Sequence, residues 1–165
     1  VTGKTGDSIG GLSGDNFGVI AECYATGNGE GIESVGGLVG YNFGEVLRCY
    51  ALGSVNGKEM VGGVVGYNES GIVNTTFAAG RVSGIENIGG IVGLNEGGAV
   101  KKSYYDSQTT GRSFSENRDG IPKASAEMKK KDTFYAWDFD TVWDIAESQT
   151  YPFFRWRNEL NAGSK

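Results

Sequence analysis

Asp138 and Asp140 are the carboxylate pair whose spacing best suits chemistry. Two residues apart on a strand, they share a face at roughly 7 Å, within the loose range for the acid and base of an inverting glycosidase. They lie inside the aromatic run WDFDTVWDI, where solvated strand charges are the plainer explanation, and we prefer it. The chain has no histidine. That removes Ser–His–Asp and Cys–His nucleophiles and the two-histidine zinc motif. The two cysteines, Cys23 and Cys49, lack the spacing of a zinc site. Gly3-Lys4-Thr5 is similar to the end of a phosphate-binding loop but has neither the required glycine upstream nor a strand–helix context. The Gly27–Gly31 run reads as a flexible turn, calcium-binding glycine–aspartate repeats are not matched, and the Asn74-Thr75-Thr76 sequon reads as accidental. The expectation is a chain with no catalytic residues, no metal and no cofactor.

The elements that would position any site are set by a repeated phrase. It reads IGGLSGDN at 9–16, VGGLVGYN at 35–42, VGGVVGYN at 61–68 and IGGIVGLN at 88–95, at spacings of 26, 26 and 27 residues. Such a period implies small units that bury their apolar faces only by stacking. Further columns follow from the alignment. Ile20, Val46, Val73 and Val100 form one, and Tyr24, Tyr50, Phe77 and Tyr104 another. Asn16, Asn42, Asn68 and Asn95 repeat without change and read as a structural ladder of turn amides, each bonded to its neighbours above and below. Short apolar segments punctuated by Gly and Asn are strand–turn signals. We therefore expect an all-β parallel β-solenoid of about four coils, right-handed by crossover preference.

Alternation assigns the faces. In 48–55 the odd positions Cys49, Ala51, Gly53 and Val55 are small or apolar and point inward, which places the aromatic column Tyr24, Tyr50, Phe77 and Tyr104 outside. A bulge between 46 and 49 would reverse this. The outward rings would form a stripe roughly 15 Å long, from three steps of about 4.8 Å. It is the candidate binding surface, able to stack on sugars or anchor a protein, although stacked rings also simply stabilise a sheet. Cys23 and Cys49 share a repeat position whose other occupants are Thr76 and Ser103, which favours two free buried thiols over a bridge. The Gly-Gly pairs suit either a close approach of opposite walls or a turn with positive φ.

Composition divides the chain near residue 111. Of 29 glycines, 27 lie in 1–111, while 10 of the 19 aromatics, including all three tryptophans, lie beyond it. The array carries 6 basic and 11 acidic side chains, against 9 of each in 112–165. An acidic array without a basic stripe argues against nucleic acid and anionic membranes as partners. No apolar run is long enough for a membrane helix. The start at Val1 reads as a cut through a longer protein, and VTGK at 1–4 is similar to SVNGK at 54–58, the tail of a preceding repeat.

The phrase VGGLVGYN followed by GEVLRCYALGSVNG resembles the GLUG motif of bacterial secreted and surface proteins, over residues 8–107. SYYDSQTTG at 103–111, AEMKKKDTF, WDFDTVWDI and YPFFRW resemble the closing region common in that family. The resemblance implies an extracellular protein, adhesin-like or a noncatalytic part of an immunoglobulin A protease relative. Residues 1–111 are the solenoid, 112–160 a closing segment and 161–165 a tail. An open stack end needs a cap, and Trp137, Phe139, Trp143, Phe153, Phe154 and Trp156 suit that better than a Trp-rich ligand platform. Pro122 to Lys131 reads as the cap's one short helix, with Ser125 as N-cap and Lys129, Lys130 and Lys131 near its end. The expected function is a noncatalytic adhesion or recognition module of a larger surface or secreted protein, with a host glycoprotein or glycan and neighbouring domains as partners. The alternatives are a substrate-recruiting region of a surface immunoglobulin A-type protease and a passive spacer.

Overall fold

Each repeat contributes one strand to each of several parallel sheets that run along the stack. The computed structural model describes residues 1–3, 8–114 and 120–158. The first sheet contains Ile9–Gly10, Glu33–Gly36, Glu59–Gly62 and Glu86–Gly89, with Ile9, Val35, Val61 and Ile88 in register. The second contains Ser13–Asn16, Val39–Asn42, Val65–Glu69 and Val92–Glu96, and the third Val19–Ala21, Glu45–Leu47, Ile72–Asn74 and Ala99–Lys101. The fourth carries the aromatic column, in Tyr24–Ala25, Tyr50–Ala51, Phe77–Ala78 and Tyr104–Asp106. Gly29–Glu30, Val55–Asn56 and Val82–Ser83 form the fifth. The fold is an all-β parallel β-solenoid of about four coils, as the period requires. Thr2 bridges Glu30 in parallel, so Val1–Gly3 takes the place of the strand that precedes Gly29 in the fifth sheet; Lys4, with its neighbours to Asp7, lies outside the described residues.

The interior is narrow, and its residues follow from that. Ala25, Ala51 and Ala78 lie opposite the second glycine of each Gly-Gly pair. A Cβ on Gly37 would come within 2.7 Å of the Ala51 methyl, and one on Gly63 within 2.6 Å of Ala78. Close wall approach, rather than positive φ, explains the second glycine. In the last coil Tyr105 replaces the alanine, and its fully buried ring fills the end of the core against Gly90 and Gly120.

The corners do not need glycine. Glu22, Arg48, Thr75 and Lys102 occupy one corner column at φ of 54, 50, 58 and 46°, and Ser34, Met60 and Asn87 another at 50, 53 and 52°. The left-handed residue at 48 is the extra unit between strands 45–47 and 50–51. It lets Val46 and Cys49 both point inward while Tyr50 points out, so the alternation over 49–51 is preserved. The asparagine ladder is continuous. Asn16 Nδ2 donates to Asn42 Oδ1 at 2.8 Å, Asn42 to Asn68 at 2.7 Å and Asn68 to Asn95 at 2.7 Å. The amides of Asn42, Asn68 and Asn95 also donate to the carbonyls of Gly44, Gly71 and Gly98, tying each rung to its turn. Cys23 and Cys49 are free thiols, donating to the carbonyls of Ala21 and Leu47, both at 3.2 Å.

The closing segment departs from expectation in two ways. Pro122 to Lys131 is not a helix. Ile121–Lys123 is a strand that adds a fifth member to the fourth sheet beyond Tyr104–Asp106, and the chain then turns, with Glu127 accepting from the Ala124 amide. The proline at 122 is tolerated because the strand is at the sheet edge. Lys131–Thr133 is a single 3-10 turn, and the one complete α-helix among the described residues is Ser107–Thr110. Second, the aromatic residues do not sit over the end of the stack. They run back along its side, as a brace over the fourth sheet.

Candidate functional site

The brace buries the predicted binding column. Tyr50 and Phe77 are 1% and 0% exposed, Tyr104 is buried and Tyr24 half-buried. The rings do point out of the coil, as alternation requires, and they do stack: Tyr24 on Tyr50 and Tyr50 on Phe77, both at 5.0 Å with planes 9° and 12° apart. Phe134 and Trp137 then pack on Tyr104, Trp137, Trp143 and Tyr151 on Phe77, Trp143 and Phe154 on Tyr50, and Phe154 and Trp156 on Tyr24. The column is thus the inner half of a second hydrophobic core, and it offers no free stripe. Burial of large rings on rings explains why: each aromatic removes roughly 150–250 Å² from water.

Polar ties fix the brace. Asp106 caps the Ser107–Thr110 helix through the amides of Gln108 and Thr109 and accepts from Tyr151 Oη at 2.7 Å. Burial alone would raise the Asp106 pKa, but hydrogen bonds from Ser125, Tyr151, Thr109 and Gln108 together hold it below the usual carboxylate value. Burial and the bond to Asp106 push Tyr151 up to about 12. Trp137 Nε1 donates to the Lys102 carbonyl at 2.9 Å, and Arg157 donates to Tyr50 Oη at 3.0 Å while lying over the Tyr24 ring. The sequence signal for Asp106 was Asp followed by Ser-Gln-Thr-Thr-Gly, an N-cap and a left-handed glycine closing one helical turn.

Asp138 and Asp140 fall at a turn rather than on one face of a strand. Asp138 accepts from the hydroxyl and amide of Thr141 and from the amide of Asp140, bonds that lower its pKa and close a turn. Among the described residues no group of three or more His, Cys, Asp or Glu is placed to hold a metal ion.

An exposed row of rings lies elsewhere, on the outer side of the second sheet. Phe17 is 72% exposed and Phe43 50%, and Tyr41 and Tyr67 are half-buried beside them. Phe17 lies 6.0 Å from Tyr41 and 6.3 Å from Phe43, and Tyr41 lies 5.4 Å from Tyr67, edge to face. Tyr41 donates its hydroxyl to Glu69, and Tyr67 donates to Glu96 at 2.7 Å. These bonds raise both phenol pKa values, that of Tyr67 to about 12, so both hydroxyls remain protonated at neutral pH. A shallow concavity of about 360 Å³ adjoins the row, between Phe17, Val19, Phe43 and Glu45. Apolar ring faces beside carboxylate acceptors can pack a flat ring and accept hydrogen bonds from its hydroxyls. Sequence reasoning missed this row because its residues fall in two adjoining columns, Asp15–Tyr41–Tyr67–Leu94 and Phe17–Phe43–Glu69–Glu96, neither of them uniformly aromatic.

Among known families, the model of the GLUG motif matches residues 31–56, one full coil. The chain carries that motif, and the solenoid is the architecture its repetition produces. Neither the curated proteins nor the solved structures compared with the chain gave a match. Among the described residues no helix is long and apolar enough to cross a membrane.

Proposed function

We propose that this chain is a noncatalytic recognition module of a larger bacterial surface or secreted protein, acting outside the cell and engaging neutral sugar units of a host glycoprotein. The observation that supports this reading is the exposed row Phe17, Tyr41, Phe43 and Tyr67, with Phe17 and Phe43 open to solvent on adjacent coils. Exposed contiguous apolar surface rimmed by polar groups marks interaction sites. Glu45, Glu69 and Glu96 along the row are acceptors for sugar hydroxyls and repel acidic ligands, which favours neutral sugars. Phe17→Ser and Tyr41→Ser, measured against immobilised neutral glycans and a mucin-type glycoprotein, are the test. Lost binding at unchanged thermal stability supports recognition. Unchanged binding by both variants, or no binding by the parent chain, removes it.

A passive spacer is the second reading, favoured by the unbroken asparagine ladder and the lateral brace. It predicts no ligand for the ring row and a stiff rod. A substrate-recruiting role beside a protease domain would use the same row and differs only in what the flanking polypeptide does.

A further inference from the structure

The brace does not lie flush on the solenoid everywhere. Between the fourth sheet and the brace segments around 129, 149–153 and 157 is a cavity of about 440 Å³. That lies within the roughly 300–1,000 Å³ typical of small-ligand sites. Its apolar walls are the half-buried side chains of Leu52, Tyr151 and Phe153. Two cations face it, Lys129 and Arg157, and among the described residues no carboxylate lines it. Both cations are positioned. Lys129 Nζ lies 5.7 Å from the centre of the Tyr151 ring, and Arg157 is fixed by Tyr50 Oη and the Tyr24 ring. Neither forms an ion pair among the described residues. In a chain of net charge −5, two cations without an ion pair among the described residues line one partly apolar cavity. Gln149 and Asn158, both exposed, supply further amide groups, the Asn158 Nδ2 also donating to Asp144 at 3.0 Å.

We infer that this cavity binds a carboxylate-bearing sugar unit: the carboxylate between Lys129 and Arg157, the ring against Tyr151 and Phe153, and hydroxyls at Gln149 and Asn158. Charge-assisted bonds to the acid and contact of the ring's apolar side with aromatics are the two interactions such a ligand offers. The site is separate from the exposed ring row, on a different sheet and of opposite charge preference, so either can fail without the other.

Titration with sodium glucuronate tests it, with glucose and sodium acetate as the neutral sugar and the bare carboxylate, followed by amide chemical shifts. Glucuronate is expected to give saturable shifts at Tyr151, Phe153 and Asn158 that weaken with salt, with glucose and acetate far weaker. Lys129→Met, which keeps the stem that packs beside Tyr151, is expected to weaken binding by about tenfold, the loss of one charged hydrogen bond. Arg157→Gln should act likewise, but Arg157 also ties the brace to Tyr50 and Tyr24, so Lys129→Met with an unchanged melting temperature is the deciding variant. Phe17→Ser should leave glucuronate binding unchanged. The inference is overturned if glucuronate leaves those amides unshifted, if glucose or acetate binds as well, or if Lys129→Met binds like the parent.

Discussion

Phe77 and Phe17 are both aromatic, both in the repeat array and both directed out of the coil, yet they should respond oppositely to truncation. Phe77 is fully buried, stacked at 5.0 Å on Tyr50 and touched by Trp137, Trp143 and Tyr151. Replacing it with alanine leaves a cavity between two rigid layers that cannot readily close, and buried Phe→Ala changes cost about 3–5 kcal/mol. With a urea m-value of about 2 kcal/mol/M, the midpoint should fall by about 1.5–2.5 M. Phe17, at 72% exposure, should change stability by no more than about 0.5 kcal/mol. Equilibrium unfolding followed by tryptophan fluorescence suits the comparison, because all three tryptophans lie in the brace and report its release. A cost below about 1 kcal/mol for Phe77→Ala, or equal costs at the two sites, would refute the buried column.

Asn68→Ala removes two ladder bonds from a fully buried amide and should cost about 3 kcal/mol, with Asn16→Ala cheaper because it has a single ladder neighbour; hydrogen exchange at the second sheet measures both. Asp106 has a lowered folded pKa, so its contribution is complete above its unfolded value near about 4 and is lost as pH falls through the folded one. The parent should therefore lose stability below about pH 4 more steeply than Asp106→Asn, and parallel denaturation curves across that window would contradict the assignment. Burial pushes the Cys49 thiol up to about 12. In a Cys23→Ser background Cys49 should resist alkylation at pH 8 until the chain unfolds, and prompt labelling of the native protein would show that the site is open.

The solenoid was legible because its evidence is periodic: identical residues at one interval imply equivalent backbone positions in successive coils. The asparagine ladder and the small interior column follow from that rule without knowledge of the rest of the chain. The fate of the aromatic column does not, since direction within a coil says nothing about what later packs on it. Tyr50 and Trp143 are 93 residues apart in sequence, and nothing local connects them. Pro122 to Lys131 failed differently. Its lysines fit a helix end, but the edge of the fourth sheet was open, and pairing Ile121–Lys123 there satisfied backbone groups that a helix would have left exposed.

The brace changes what kind of stack this is. A solenoid held only by nearest-neighbour contacts frays from its ends, each coil answering to the one beside it. Here one segment contacts Tyr104 in the last coil and Tyr24 in the first, through Phe134 and Trp137 at one end and Phe154 and Trp156 at the other. Releasing the first coil therefore strips the brace from its final anchor as well as breaking one set of ladders. That coupling falls on the coil that carries Phe17, the most exposed ring of the outer row. A recognition surface on a loosely held coil would spend its binding energy on ordering itself. Tied through Tyr24 to the brace, that coil is held against its neighbours, and the cavity beside Lys129 and Arg157 is lined by the same strap.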